Sequence, residues 1–365
     1  MREKSLRGMN MDEFRIDSHK LMLHPRRVAD WLEGKNVAPL YMEISPSGAC
    51  NHRCRFCGLD FMGYKPRFLP ADIMRERFTE MSAAGLKSVM FAGEGEPFLH
   101  RDMGQMARDA KSAGLDVAFT TNAVNLRFET AKMVLPVSSW IKVSCNAGTA
   151  KTYAFVHGTR ESDFSTMLAN MEEAVRLRQN EGHACTLGFQ MLLLPENQAE
   201  AVGLAKIARG LGADYLVIKP YSQPPQSLKR EYAAVAYANL EELAQVLEAL
   251  NTDDFSVIIR RKTLQRQQKG RKSYDRCLAL PFWSYMDAGG AIWGCLDFLG
   301  DERFAYGNIL ESFFSEIWNG AKRRDRLLWS AAHLDVHKCR FSCRMDPVNA
   351  YLWELTHPGR HDNFI

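Results

Sequence analysis

No apolar run approaches the roughly 18 residues of a membrane-spanning helix, and the opening MREKSLRGMNMDEFR lacks the apolar core of a secretory signal. Export and a membrane partner are therefore not expected, and the chain reads as cytoplasmic. Charge of one sign is also scarce. With 47 Lys and Arg against 43 Asp and Glu, the formal charge is only +4, so composition makes no case for nucleic acid. Tandem repeats and low-complexity stretches are missing. Nine cysteines are an odd set in a chain without an export signal, which argues against a disulfide framework and for thiolate metal ligands. What is present is enough apolar sequence, 46% of 365 residues, for one large domain or a large and a small one.

Apolar, β-rich runs alternate with helical stretches. Strands are predicted at 38–44, 88–93, 116–121, 140–144, 186–194 and 215–220, and helices near 71–84, 102–113, 128–134, 163–179, 198–211 and 233–250. This βα rhythm predicts an α/β fold, either a partial or complete (βα) barrel or an open doubly wound sheet, with chemistry at the carboxyl ends of the strands. Residues 260–276, RRKTLQRQQKGRKSYDR, read as a basic surface connector. Beyond it the pattern shortens and holds Cys277, Cys295, Cys339 and Cys343, which points to a second, smaller domain. The expected divisions are an extension at 1–37, a barrel at 38–235, a helix and connector at 236–276 and a terminal domain at 277–365.

The stretch CNHRCRFCGLDF lacks a fourth cysteine: Cys50, Cys54 and Cys57 form CxxxCxxC and the set then stops. Zinc prefers four protein ligands in a closed site, so a zinc knuckle needs a distant cysteine or His52 to complete it. A cubane iron–sulfur cluster on three thiolates accounts for the spacing better, with its fourth iron open to an exchangeable ligand.

With Phe56 before the last cysteine, the motif resembles the CxxxCxΦC signature of the radical S-adenosylmethionine (radical SAM) superfamily. Companions follow in order. Gly95 and Glu96 in AGEGEPFLH resemble the family's GGE motif, whose carbonyl and glutamate receive the SAM ammonium. Thr121 and Asn122 in TTNA, and Ser144 in VSCNAGT, occupy strand ends where the family contacts ribose and carboxylate. The resemblance implies a (βα)6 TIM-type partial barrel, a SAM-binding 4Fe–4S cluster, and a reductant such as flavodoxin or ferredoxin. It further implies reductive cleavage of SAM to a 5'-deoxyadenosyl radical that takes a hydrogen atom from substrate.

The four later cysteines resemble the SPASM and shorter twitch extensions of the family, small α+β domains. Four thiolates fit a single auxiliary 4Fe–4S cluster at Cys277, Cys295, Cys339 and Cys343, or zinc on the same set. A single auxiliary cluster favours net oxidation of the substrate, as in twitch-bearing cyclitol dehydrogenation. Epimerisation is the alternative and needs a hydrogen donor, for which Cys145 stands beside Ser144. Asn146, Gln190, Lys219 and Tyr221 are expected at the barrel mouth, where hydrogen bonds and one cation suit a polyhydroxylated or phosphorylated small molecule, with a carbohydrate or cyclitol preferred. Peptide modification competes, but 37 residues look short for a leader-binding domain. A structural iron–sulfur or zinc protein is the non-enzymatic alternative.

Overall fold

The computed structural model describes residues 14–237 and 240–364, so the start of the N-terminal extension lies outside it. Each predicted strand forms, and their pairing fixes the architecture. The strands β1 (Tyr41–Ile44), β2 (Ser88–Phe91), β3 (Asp116–Thr121), β4 (Ser138–Ser144), β5 (Thr186–Leu193), β6 (Tyr215–Pro220) and β7 (Ser256–Ile259) lie side by side in chain order, all parallel. β7 is a seventh parallel strand that the sequence reading passed over. On the other side of β1 the sheet continues through β8 (Trp283–Met286), parallel to β1, then β9 (Ala291–Trp293) and β10 (Ala305–Asn308), which are antiparallel. The end strands β7 and β10 do not pair, so among the described residues the wall is a partial barrel.

Helices cover the outer face. They are α1 (Pro25–Leu32), α2 (Ala71–Ala83), α3 (Met103–Ser112), α4 (Phe128–Val134), α5 (Ala150–His157), α6 (Glu161–Glu181), α7 (Ala201–Gly210), α8 (Leu240–Glu248), α9 (Arg261–Lys269), α10 (Phe314–Asn319), α11 (Ala321–His333) and α12 (Asp346–Thr356). Period-two alternation sorts the strand residues. Ile44, Phe91, Phe119, Ile141, Val143 and Phe189 join Met74, Phe78, Met106 and Met171 of the helices in one large core. Burying each such side chain contributes about 1.5–3 kcal/mol, so this layer holds the helices on the sheet. The alternate residues Tyr41, Met90, Ala118 and Trp140 pack together on the opposite, lumen-facing side.

One expectation needs correction. The 260–276 stretch is not a plain solvated connector: it forms α9, buries Thr263, and buries Lys272, whose Nζ donates to the Arg340 carbonyl at 3.1 Å and lies 3.7 Å from Asp346. The terminal segment joins the same sheet: β8 registers directly on β1, with Glu43 opposite Tyr285 and Ile44 opposite Met286. No helix is long and apolar enough to cross a membrane among the described residues.

Candidate active site

The loop leaving β1 carries Cys50, Cys54 and Cys57, all partly buried and free of disulfides. It is fastened to α5 by backbone bonds from Arg53 N to the His157 carbonyl (3.0 Å) and from Arg55 N to the Val156 carbonyl (2.9 Å). Gly158 ends α5 at φ +57°, and a Cβ there would meet the Arg53 carbonyl at 2.4 Å, so glycine lets the two segments touch. The thiols lie close enough for their charges to interact, Cys50 and Cys54 each with Cys57. Burial pushes the Cys50 thiol up to about 12, with the nearby Glu96 carboxylate adding to the shift. Three thiolates gathered in a poorly hydrated place call for cationic compensation, which iron supplies. The donor set therefore fits a three-thiolate cluster.

The GEGEP turn is clamped to that loop from three sides. Glu96 N donates to the Ala49 carbonyl at 2.8 Å, and a Cβ on Gly95 would sit 2.2 Å from the Ser47 carbonyl oxygen. Glu94 accepts from Ala288 N (2.7 Å) and pairs with Arg67 (3.2 Å), tying the turn to the β8–β9 corner. The Glu96 carboxylate accepts from Phe98 N (3.1 Å), Thr121 Oγ1 (2.5 Å) and Asn122 N (2.8 Å). A carboxylate offers about four acceptor positions, so about one remains for a ligand ammonium.

The other expected site residues divide by face. The side chains of Ser144, Gln190 and Lys219 make no hydrogen bond among the described residues and share the lumen side, with Ser144 registered opposite Gln190. Thr121 and Asn122 are engaged by Glu96, and Asn122 also donates to Asn51 at 2.7 Å. Asn146 is buried and structural: its Oδ1 accepts from Leu192 N (2.6 Å) and its carbonyl from Asn197 (2.9 Å). Cys145 sits among the helix-facing core, Sγ 3.3 Å from the Ala147 carbonyl, on the opposite face of β4 from Ser144. The structure does not bring it to the lumen. Phe56 packs with Val156, Leu194, Tyr221 and Tyr232, its ring edge-on to His157.

His157 was not anticipated. Its Nε2 accepts the Asn146 backbone N–H at 3.1 Å, and burial keeps the ring neutral. The single ring proton must then sit on Nδ1, 3.5 Å from Cys54 Sγ. His52, Cys54 and His157 offer ligand atoms within 4.8 Å of one another, but this tautomer makes His157 a donor to sulfur instead of a competing ligand.

The later cysteines also converge. Cys295 and Cys339 each interact with both Cys277 and Cys343, and Asn349 Nδ2 lies 3.6 Å from Cys277 Sγ. Four thiols in one place fit a fully ligated centre. Beside it a cavity of about 420 Å³ is lined by Tyr221, Arg230, Tyr232, Gln267, Cys339 and Arg340.

Comparison with known proteins agrees with this geometry. Residues 44–208 match the model of the Radical SAM superfamily. Over 103 residues, 27% of this chain and 21% of the relative, the sequence is 32% identical to an S-adenosylmethionine-dependent nucleotide dehydratase of Lacinutrix mariniflava. Over 143 residues, 38% of this chain and 43% of the relative, it is 28% identical to a GTP 3',8-cyclase of Synechococcus elongatus. The chain thus spans less than half the length of either relative. Among solved structures, Streptococcus suis SuiB bound to S-adenosylmethionine is similar at a TM-score of 0.60 and 18% identity, covering 87% of this chain and 73% of that one. Native anSMEcpe with bound AdoMet gives 0.57 at 16% identity over 87% and 95%, a likeness of fold. The matched segment takes in the cysteine loop and every strand end from β2 to β5, so residues 44–208 are similar to the radical SAM superfamily in the part of the chain that builds the site.

Proposed function

We propose that this chain binds SAM at a 4Fe–4S cluster on Cys50, Cys54 and Cys57, and takes a hydrogen atom from a polar small molecule, such as a carbohydrate or cyclitol, in the lumen. The net reaction is a dehydrogenation, with an auxiliary 4Fe–4S cluster on Cys277, Cys295, Cys339 and Cys343 accepting the electron. When bound, cluster and SAM supply the 5'-deoxyadenosyl radical. The protein's own residues do the rest. Glu96, held by three donors, presents its remaining lone pair toward the SAM ammonium, with the Gly95 carbonyl beside it. Ser144 and Gln190 offer hydrogen bonds at the lumen wall, and the packed strand faces exclude water.

The observation that carries this reading is that Cys57 and Cys295 pack against the same small apolar cluster of Leu59, Tyr285, Trp293, Leu299, Phe304 and Ala305. An apolar layer touched by one thiol of each set would give an electron a route between them. Tyr221 packs with Phe56 of the cysteine loop and lines the cavity that Cys339 also lines.

Anaerobic reconstitution tests it. Two cubane clusters require roughly eight irons per chain, with 5'-deoxyadenosine released from SAM under a low-potential reductant. Alanine at Cys50, Cys54 or Cys57 should abolish release, whereas Cys295→Ala should spare some cleavage and stop completed turnover. Bound zinc without SAM cleavage overturns the reading. Deuterium transfer into 5'-deoxyadenosine should be screened first with sugars and cyclitols, then with nucleotides, since both curated relatives carry nucleotide activities in their names.

A further inference from the structure

The lumen faces of β4 and β6 carry two lysines, Lys219, expected at the barrel mouth, and Lys142, which the sequence did not single out. Lys142 shares the inward parity of Trp140 and Ser144, and its Nζ lies 5.4 Å from the Trp140 ring centre. Lys219 projects from β6 opposite Leu192 of β5. Both are partly buried, and among the described residues neither ammonium has a recorded hydrogen bond or ion pair.

Their charged surroundings make this unusual. Lys219 faces Arg260, Arg340, Arg344 and Lys142, all positive. Lys142 faces Arg344 and Arg260, with Glu43 as its one acidic neighbour. The acids of this region are already engaged. Glu43 is bound to Arg344, Asp17 lies 3.5 Å from Arg260, and Asp297 lies 3.4 Å from Arg340. Two cations are left over.

They are not countercharges for the thiol sets. Arg344 interacts with Cys343, and so belongs beside the later cysteines. The charges that act most on Lys219 are those of Arg260, Arg340, Arg344 and Lys142, and those on Lys142 are Arg344, Arg260 and Glu43, among the described residues. Like charges crowded into a partly dehydrated space repel, and an anion placed among them reverses that cost. A monoanionic carboxylate matches one lysine. Two lysines with Arg260 behind them match a phosphate dianion or a diphosphate.

We propose that Lys142 and Lys219 form a phosphate subsite, so that the substrate of the lumen reaction is a phosphorylated small molecule whose charged end rests against β4 and β6. The assignment rests on the lumen being the substrate site, as argued above. It places the anion across the barrel from the GEGEP turn on the β1–β3 side, leaving the reactive carbon between the two.

Inorganic pyrophosphate is the probe. Reconstituted protein saturated with SAM should bind it by calorimetry, and Lys142→Met/Lys219→Met should weaken binding at least tenfold, each single variant less. Pyrophosphate should raise the thermal midpoint of the wild type and leave that of the double variant unmoved; the double variant's own midpoint, at or above wild type, reports that it folds. Arginine at either position should restore binding. Equal binding by wild type and double variant, or none by wild type, overturns the proposal. So does a loss of SAM affinity in the variants in place of pyrophosphate affinity, which would assign the lysines to the SAM carboxylate. Wild type that binds pyrophosphate through these lysines yet never releases 5'-deoxyadenosine sinks the activity and leaves the subsite standing. Wild type that cleaves SAM and ignores pyrophosphate does the reverse.

Discussion

His157 Nδ1 stands 3.5 Å from Cys54 Sγ, with the other ring nitrogen fixed by the Asn146 backbone N–H. Hydrogen bonds to ligand sulfur stabilise the more negative, reduced state of a cluster. His157→Phe keeps a flat ring against Tyr153, which stacks on it at 4.2 Å, but removes the donor. The midpoint potential of the three-cysteine cluster should fall by roughly 40 mV for each ~1 kcal/mol of hydrogen bond lost. Potentiometric EPR checks this, and the four-cysteine cluster should stay put.

Two glycines test the clamp between the GEGEP turn and the cysteine loop. Gly95→Ala forces a Cβ to 2.2 Å from the Ser47 carbonyl and 2.3 Å from the Ala49 carbonyl, both backbone atoms that cannot swing aside. A loss of about 1–3 kcal/mol is expected, together with weaker SAM binding. Gly203→Ala on α7 meets nothing within 4 Å and should stabilise by about 0.5–1 kcal/mol. Denaturation midpoints and SAM titrations separate the two effects.

In the ligand-free chain Lys142 should contribute a rise in stability with pH through the alkaline range, against the fall contributed by buried thiols such as Cys50, which burial raises. Burial, aided by Arg344 and Arg260, lowers Lys142 from 10.5 to about 7. Between about 7 and 10.5 the unfolded chain holds a proton at this residue that the folded chain has released, so unfolding becomes harder as pH increases. Below about 7 both states are protonated and the penalty is constant. Lys142→Met should be more stable than wild type at pH 7 and lose that advantage by about pH 10.5, readable as the difference between the two proteins in urea denaturation across this range.

Arg344→Met should cost about 1–3 kcal/mol, less than a fully buried pair because the Arg344 side chain is 43% exposed. The change strands Glu43, a buried carboxylate on β1 whose partner is Arg344, and also removes the donor to Tyr41 Oη at 2.5 Å. Replacing both, as Glu43→Gln/Arg344→Met, should cost less than the single arginine change, a cycle that thermal unfolding resolves.

The strand order was legible because six β-rich runs separated by helical spacing leave few right-handed parallel arrangements. β7 escaped since SVII is only four residues long and follows a polar stretch, TDDF. α5 escaped although Thr149 caps its first turn, accepting from Thr152 N, and Gly158 closes it; read as a capped pair, those two residues mark the helix, and His157 with it. Lys142 was within reach too, since it alternates with Ser144 along β4. Its lack of a free carboxylate partner was not, because Glu43, already held by Arg344, and Arg260 lie roughly 100 to 200 residues away in the chain and only the fold assembles them. Cys145 shows the opposite limit. Adjacency in sequence placed it beside Ser144, and the pleat turned it to the other side.

The pairing of β8 with β1 has a consequence for dissection of the molecule. Cutting the chain at residue 276, where composition suggests a border, would strip β1 of its neighbour Trp283–Met286 and expose a row of unpaired peptide groups beside the cysteine loop. A truncated barrel would present a sticky margin and lose the Ala288 N–H that steadies Glu94. The tail that holds the second set of thiols is also the hem that keeps the first strand from fraying.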